Sequence, residues 1–153
     1  MELTRILRQE AIRSVGASSK KRAFQTLGEI MASVHGVEEA QVVAALRERE
    51  GLGPTGVGNG VALPHARLDG VEAMTGCFLR LDRGVEFGSV DRQPVDLIFA
   101  LFAPTGCGVE HLRALAAVSR VMRVQAVRSK LRSNTDPAVL HAILTELPAT
   151  QAA

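Results

Sequence analysis

The chain has 153 residues, 46% hydrophobic and 22% charged, with a formal net charge of +2. That length suits one globular domain, 1–153, with a substantial core, and a charge so near neutral names no polyanionic partner. Tyr and Trp are absent and only five Phe occur, which argues against stacking of single-stranded nucleic acid and leaves the core to Leu, Val, Ile and Ala.

The N-terminal stretch MELTRILRQEAIRS is polar and charged, unlike a signal peptide, with room for a short strand near Ile12. Ser18-Ser19 read as a helix start before Lys20, and Phe24, Leu27, Ile30, Met31 and Val34 fall on one helical face. His35-Gly36 supplies the stop. A second helix is expected from Glu38 to about Arg49, burying Val42, Val43 and Leu46. The glycines from Gly51 to Gly60, with Pro54, argue against regular structure until Val61. Strands follow at 76–81 and 95–102, the second apolar enough to be central, with a turn at Asp91-Arg92-Gln93-Pro94. A helix is expected from Val109 to Met122. Asp136 caps a last one that starts at Pro137, buries Leu140, Ile143, Leu144 and Leu147, and stops before Pro148. Helices, then strands, then helices predict a three-layer α/β/α domain with a mixed sheet. No stretch of about 18 apolar residues occurs, so no membrane insertion is expected. Cys77 and Cys107 show no spacing pattern and read as reduced thiols of a cytoplasmic protein.

The densest chemical signal is Thr55 to Arg67, TGVGNGVALPHAR. Gly56, Gly58 and Gly60 permit tight turning and let backbone N–H groups crowd around an anion. Pro64 holds Leu63 extended and presents His65 at a strand end. A neutral imidazole nitrogen is a nucleophile, and a transferring phosphoryl group needs fixed donors around it. The candidates are the backbone of Gly58, Asn59, Gly60 and Val61, the Thr55 hydroxyl, Arg49 and His111. Alternatively, Arg49 is a solvated residue in the charged run Arg47-Glu48-Arg49-Glu50, and His111 only interacts with its own helix start. A zinc site of His65 and His111 lacks a cysteine or carboxylate at ligand spacing, so no metal is expected. His35 and His141 read as structural or exposed. Between Arg113 and Arg132 there are six Arg and Lys and no acid. A DNA-binding helix is one reading of that run; a solvated basic face or protein-docking rim is the favoured one.

The order Arg49-Glu50, Thr55, Ala62-Leu63-Pro64-His65 and Glu110-His111-Leu112 resembles the type-2 IIA domains of the bacterial phosphoenolpyruvate:sugar phosphotransferase system. Ser19-Lys20-Lys21-Arg22-Ala23, Val90 through Leu97 (VDRQPVDL) and His111 through Leu115 resemble its nitrogen-regulatory branch. The resemblance runs from about Leu3 to Glu146. It implies a mannitol-type IIA fold with a roughly five-stranded sheet and no cofactor. It makes His65 the acceptor of a phosphoryl group from an HPr-like carrier, flanked by Arg49 and His111. Nε2 is the expected phosphorylated nitrogen, with Nδ1 held by a local hydrogen bond. Phosphorylation state would then govern a target such as a transporter or kinase. The alternatives are a sugar-specific IIA that passes phosphate to a fructose or mannitol IIB domain, and a binding-only regulator. Pro54 departs from the family pattern, which carries a serine there, and removes a hydroxyl and a backbone donor from the loop.

Overall fold

A 3-10 turn, Leu3–Arg5, leads into β1 (Leu7–Val15), a longer strand than the short segment expected near Ile12. The computed structural model describes residues 3–151. Ser19 caps α1 (Lys20–His35), its hydroxyl accepting the Arg22 N–H at 3.1 Å, and Gly36 ends the helix in the left-handed conformation with φ 70°. Replacing Ser19 with Ala is expected to cost about 1 kcal/mol, measured by urea denaturation, because an orphan N–H of the first turn loses its acceptor. The predicted stripe of Phe24, Leu27, Ile30 and Met31 is buried, while Val34 is half-buried. The next helix, α2 (Glu39–Glu50), buries Val42 and Leu46 and leaves Val43 half-buried against α1. Gly28 permits that approach, since a Cβ there would stand 2.9 Å from Glu39 Cγ and 3.1 Å from Val43 Cγ2.

The glycine-rich segment is not irregular. β2 (Gly56–Gly58) pairs antiparallel with β3 (Val61–Ala62) across a two-residue turn, Asn59-Gly60, with φ values of 59° and 77°. Both central residues at positive φ is the type I′ hairpin pattern, for which Asn-Gly is the preferred pair. β4 (His65–Leu68), β5 (Thr75–Val85) and β6 (Val95–Pro104) complete the sheet. Its order is β1-β5-β6-β3-β2, with β4 also on β6. β1 runs parallel to β5, β5 antiparallel to β6, and β3 and β4 parallel to β6. The sheet thus has six strands, although β3 and β4 act as one. Val61 pairs with Leu97, Ala62 with Ile98 and His65 with Leu101, an unbroken register, and the Leu101 N–H still reaches the Pro64 carbonyl at 2.9 Å. Only Pro64, without an N–H, interrupts the ladder.

β6 is central, and every residue from Leu97 to Ala103 is fully buried. One helical layer is α1 and α2, packed on each other and on β1, β5 and β4. The other is α3 (Val109–Met122), α4 (Gln125–Arg132) and α5 (Pro137–Gln151), packed on one another, on β6 and on β1. This is the three-layer architecture read from the sequence. α4 was not foreseen, because eight residues with two buried apolar positions, Val127 and Leu131, make too short a stripe. α5 begins where Asp136 accepts the Ala138 N–H at 2.9 Å, and Leu140, Ile143 and Leu144 are buried. The side chain of Leu147 lies outside the described ones. The helix continues through Pro148 rather than ending before it, since a proline in the last turn removes only one backbone bond.

The basic run from Arg113 to Arg132 is partly structural. Arg128 is 9% exposed and donates to the carbonyls of Met122 (3.0 Å) and Arg123 (2.7 Å), stopping the C-terminal end of α3. Arg132 forms two 2.9 Å bonds to Asp96. Among the described residues, no helix is long and apolar enough to cross a membrane.

Candidate functional site

The break at Pro64 shapes the site. Leu63 is held by its N–H on the Thr55 carbonyl at 2.9 Å, and its own carbonyl receives His65 Nδ1 at 2.9 Å. A carbonyl only accepts, so Nδ1 carries the proton. From the end of α2, Arg49 directs Nε onto His65 Nε2 at 3.3 Å. A guanidinium only donates, so Nε2 holds a lone pair. These two partners, on opposite sides of the ring, select one neutral tautomer with the free lone pair on Nε2. Arg49 is itself held through Nη1, which donates to the Gly53 carbonyl at 3.0 Å.

His111, in the first turn of α3, approaches from the other helical layer. The two imidazole centroids are 5.3 Å apart, with planes tilted by 57°. Burial lowers the His111 pKa from the ordinary histidine value, and positive charge on His65 when it is protonated, and on Arg67, lowers it further. Both effects favour the neutral form of His111, whose Nδ1 is buried and unpartnered among the described residues. The N-cap of α3, Gly108, makes no side-chain cap hydrogen bond, and its carbonyl accepts the His111 N–H at 3.3 Å. Arg49, Leu52, His65, Arg67 and His111 line an open groove of about 340 Å³.

Arg67 is a groove residue that the sequence reading missed. It stands two positions after His65 on β4, and period two places both on one face of the strand. It is exposed, and no hydrogen bond or ion pair holds it among the described residues. That spacing was the available signal.

The remaining predicted site residues have other partners. The Thr55 hydroxyl donates to Glu50 Oε1 at 2.6 Å and its N–H to Glu50 Oε2 at 3.1 Å, so both donors are already engaged. Gly58, Asn59, Gly60 and Val61 form the hairpin turn at the far end of the strand. At about 3.3 Å per residue, Gly60 lies roughly 15 Å from His65. The Asn59 N–H donates to Asp91 Oδ2 at 3.1 Å, and Gly60 lies close enough to Asp96 that a Cβ would stand 2.8 Å from Oδ1. Arg132 pairs with that Asp96 at 2.9 Å and donates to the Asn59 carbonyl at 2.6 Å, so the turn is tied into a charge network of its own. The glycines provide turn dihedrals and close approaches, and Pro54 lies in the loop whose Gly53 carbonyl accepts from Arg49.

His35 and His141 lie outside the groove. His141 Nε2 contacts the Leu7 carbonyl at 2.9 Å, linking α5 to β1. His35 has its pKa lowered, first by burial and then by Arg8. Two histidines favoured in their neutral form have a stability consequence. An unfolded chain, with ordinary histidine pKa near 6.5, binds protons that the folded one resists, so stability is lost as pH falls below about 6.5. Urea denaturation from pH 8 to pH 5 is expected to show this loss, and His35→Gln with His111→Gln is expected to flatten it. Among the described residues, no group of three or more His, Cys, Asp or Glu is placed to hold a metal ion.

Residues 5–147 match the family described as phosphoenolpyruvate-dependent sugar phosphotransferase system, EIIA 2. A nitrogen regulatory protein of Bradyrhizobium diazoefficiens is 44% identical over 99% of this chain and 100% of its own length. The crystal structure of nitrogen regulatory protein IIA-Ntr from Neisseria meningitidis superposes with a TM-score of 0.87 at 35% identity, covering 94% of this chain and 99% of that one. IIA mannitol from Escherichia coli superposes with a TM-score of 0.76 at 25% identity, covering 90% and 98%.

Proposed function

The chain belongs to the phosphoenolpyruvate-dependent sugar phosphotransferase system EIIA 2 family, and from that premise we propose that it is a nitrogen-regulatory phosphocarrier with His65 as the acceptor. The whole chain, 1–153, is read as one such unit, working in the cytoplasm on an HPr-like carrier. Full-length similarity to a nitrogen regulatory protein favours the regulatory branch. The observation that carries the chemistry is the fixed tautomer of His65, with Nδ1–H on the Leu63 carbonyl and the Nε2 lone pair facing Arg49.

In the proposed step the Nε2 lone pair forms a bond to the phosphorus of the carrier's phosphohistidine. The bond from phosphorus to the donor nitrogen breaks, and its electron pair stays on the donor imidazole. His65 keeps its Nδ1 proton, so its ring becomes cationic while bearing the phosphoryl group. The Leu63 carbonyl stabilises that ring charge, and the Arg49 guanidinium turns from nitrogen to phosphoryl oxygen. His111, at the start of α3, lines the same groove. Phosphorylated and unphosphorylated forms then differ in charge at one groove, which a target such as a transporter or kinase can read.

Incubation with phosphoenolpyruvate, enzyme I and an HPr-like carrier is expected to add one acid-labile, base-stable phosphate, mapped by peptide analysis to His65. No labelling of the wild-type protein would defeat the phosphocarrier reading and leave a binding-only regulator. Likeness to IIA mannitol supports a second reading, transfer onward to a fructose or mannitol IIB domain. Rapid loss of the label to such a domain would favour it.

A further inference from the structure

We propose that Glu50 is a positioning residue of this site, holding the loop that aims Arg49 at His65; the inference rests on His65 as phosphoryl acceptor. Glu50 ends α2, directly after Arg49, and its side chain is only 8% exposed. A carboxylate so deeply placed requires donors, and it has three. Lys20 Nζ reaches Oε2 at 3.0 Å, the Thr55 N–H reaches the same oxygen at 3.1 Å, and the Thr55 hydroxyl reaches Oε1 at 2.6 Å. Lys20 is steadied in turn by the Phe87 ring, 4.8 Å below its ammonium.

These bonds close a loop. Residues 51–54 leave the helix at Glu50 and return at Thr55, where the same carboxylate holds them. Leu52 and Pro54 are exposed, so no core packing fixes this segment. Backbone bonds run from Gly51 to the Arg47 carbonyl, from Leu52 to Arg49 and from Gly53 to Glu50, at 3.0 to 3.2 Å. The Gly53 carbonyl within that loop is the second acceptor of Arg49. Lys20 therefore orients Glu50, Glu50 closes the loop, the loop carbonyl holds one end of the guanidinium, and the other end meets His65 Nε2. Glu50 touches no reacting atom. Its influence passes through Arg49.

Glu50→Gln keeps the shape but turns an amide N–H₂ toward donors that need an acceptor. Nitrogen NMR of the unphosphorylated protein is the first readout, with circular dichroism confirming a folded chain. The expected result is a shifted His65 Nε2 resonance and faster exchange of the Arg49 Nε–H. Phosphorylation by the HPr-like carrier is expected to slow by about 10- to 100-fold in kcat with KM unchanged, the scale of a misplaced catalytic group. Thr55→Val is expected to act in the same direction, with Thr55→Ser recovering most of the rate. In an Arg49→Ala background, Glu50→Gln is expected to add nothing, because the two act in series. Unaltered Arg49 and His65 resonances, or an equal further loss in the Arg49→Ala background, would overturn the proposal. Should the wild-type protein take up no phosphate, the phosphocarrier reading falls, while the resonances still decide whether Glu50 positions Arg49.

Discussion

His65→Ala is expected to take up no detectable phosphate from an HPr-like carrier under conditions that label the wild-type chain fully. On the proposed mechanism the effect is total, because the substitution removes the atom that would form the bond. His111 holds its Nδ1 buried, and its ring centroid is 5.3 Å from that of His65. Arg49 carries no lone pair available for attack. His65 is only half-buried, and its hydrogen bonds are to a carbonyl beside it and to a long, flexible guanidinium. The variant should therefore fold, which thermal unfolding would check alongside labelling. Undiminished labelling of His65→Ala would place the acceptor elsewhere, with His111 the next imidazole in the groove.

The largest effect on stability is expected at Phe99. It is fully buried on the central strand and meets Phe78 edge-on, with ring centroids 6.2 Å apart and planes at 61°. Its ring also lies over Gly76, where a Cβ would stand 2.9 Å from Phe99 Cε1. Truncation to alanine removes a ring from a site closed on all sides, because β6 is paired along both edges and covered on both faces. The cost is expected to be about 3–5 kcal/mol, a large share of the roughly 5–15 kcal/mol available to such a protein. Melting should fall by roughly 10 °C or more. As a contrast, Leu52→Ser alters a residue 82% exposed and should stay within about 0.5 kcal/mol. A Phe99→Ala loss below about 1 kcal/mol would mean that the core collapses into the space. β6 also carries the register that sets His65 opposite Leu101, so damage there is expected to reach the groove.

Much of the fold was legible because it is written locally. Ser19, Gly36 and Asp136 mark helix ends through their own dihedrals and side-chain acceptors, and the stripes of α1 and α5 follow from a 3.6-residue period. The central strand announced itself as an unbroken apolar run, which only a segment covered on both faces tolerates. The Asn59-Gly60 hairpin was not read, because glycines that permit an anion cradle also permit a type I′ turn and composition does not distinguish the two. Arg67 was missed because its significance depends on β4 resuming at His65 after the break.

From the sequence alone come the helices, the central strand, the family resemblance and the histidine after proline, all set by neighbours within a few residues. Tertiary structure decided what surrounds that histidine. Arg49 reaches Nε2 from 16 positions away, while His111 arrives from the opposite helical layer. In the adjacent loop, Thr55 gives its donors to Glu50 and Asn59 gives its N–H to Asp91. Dihedral preference and periodicity are short-range properties of the chain. Which donor meets which acceptor across a sheet is settled only when the layers pack and every buried polar group finds its partner.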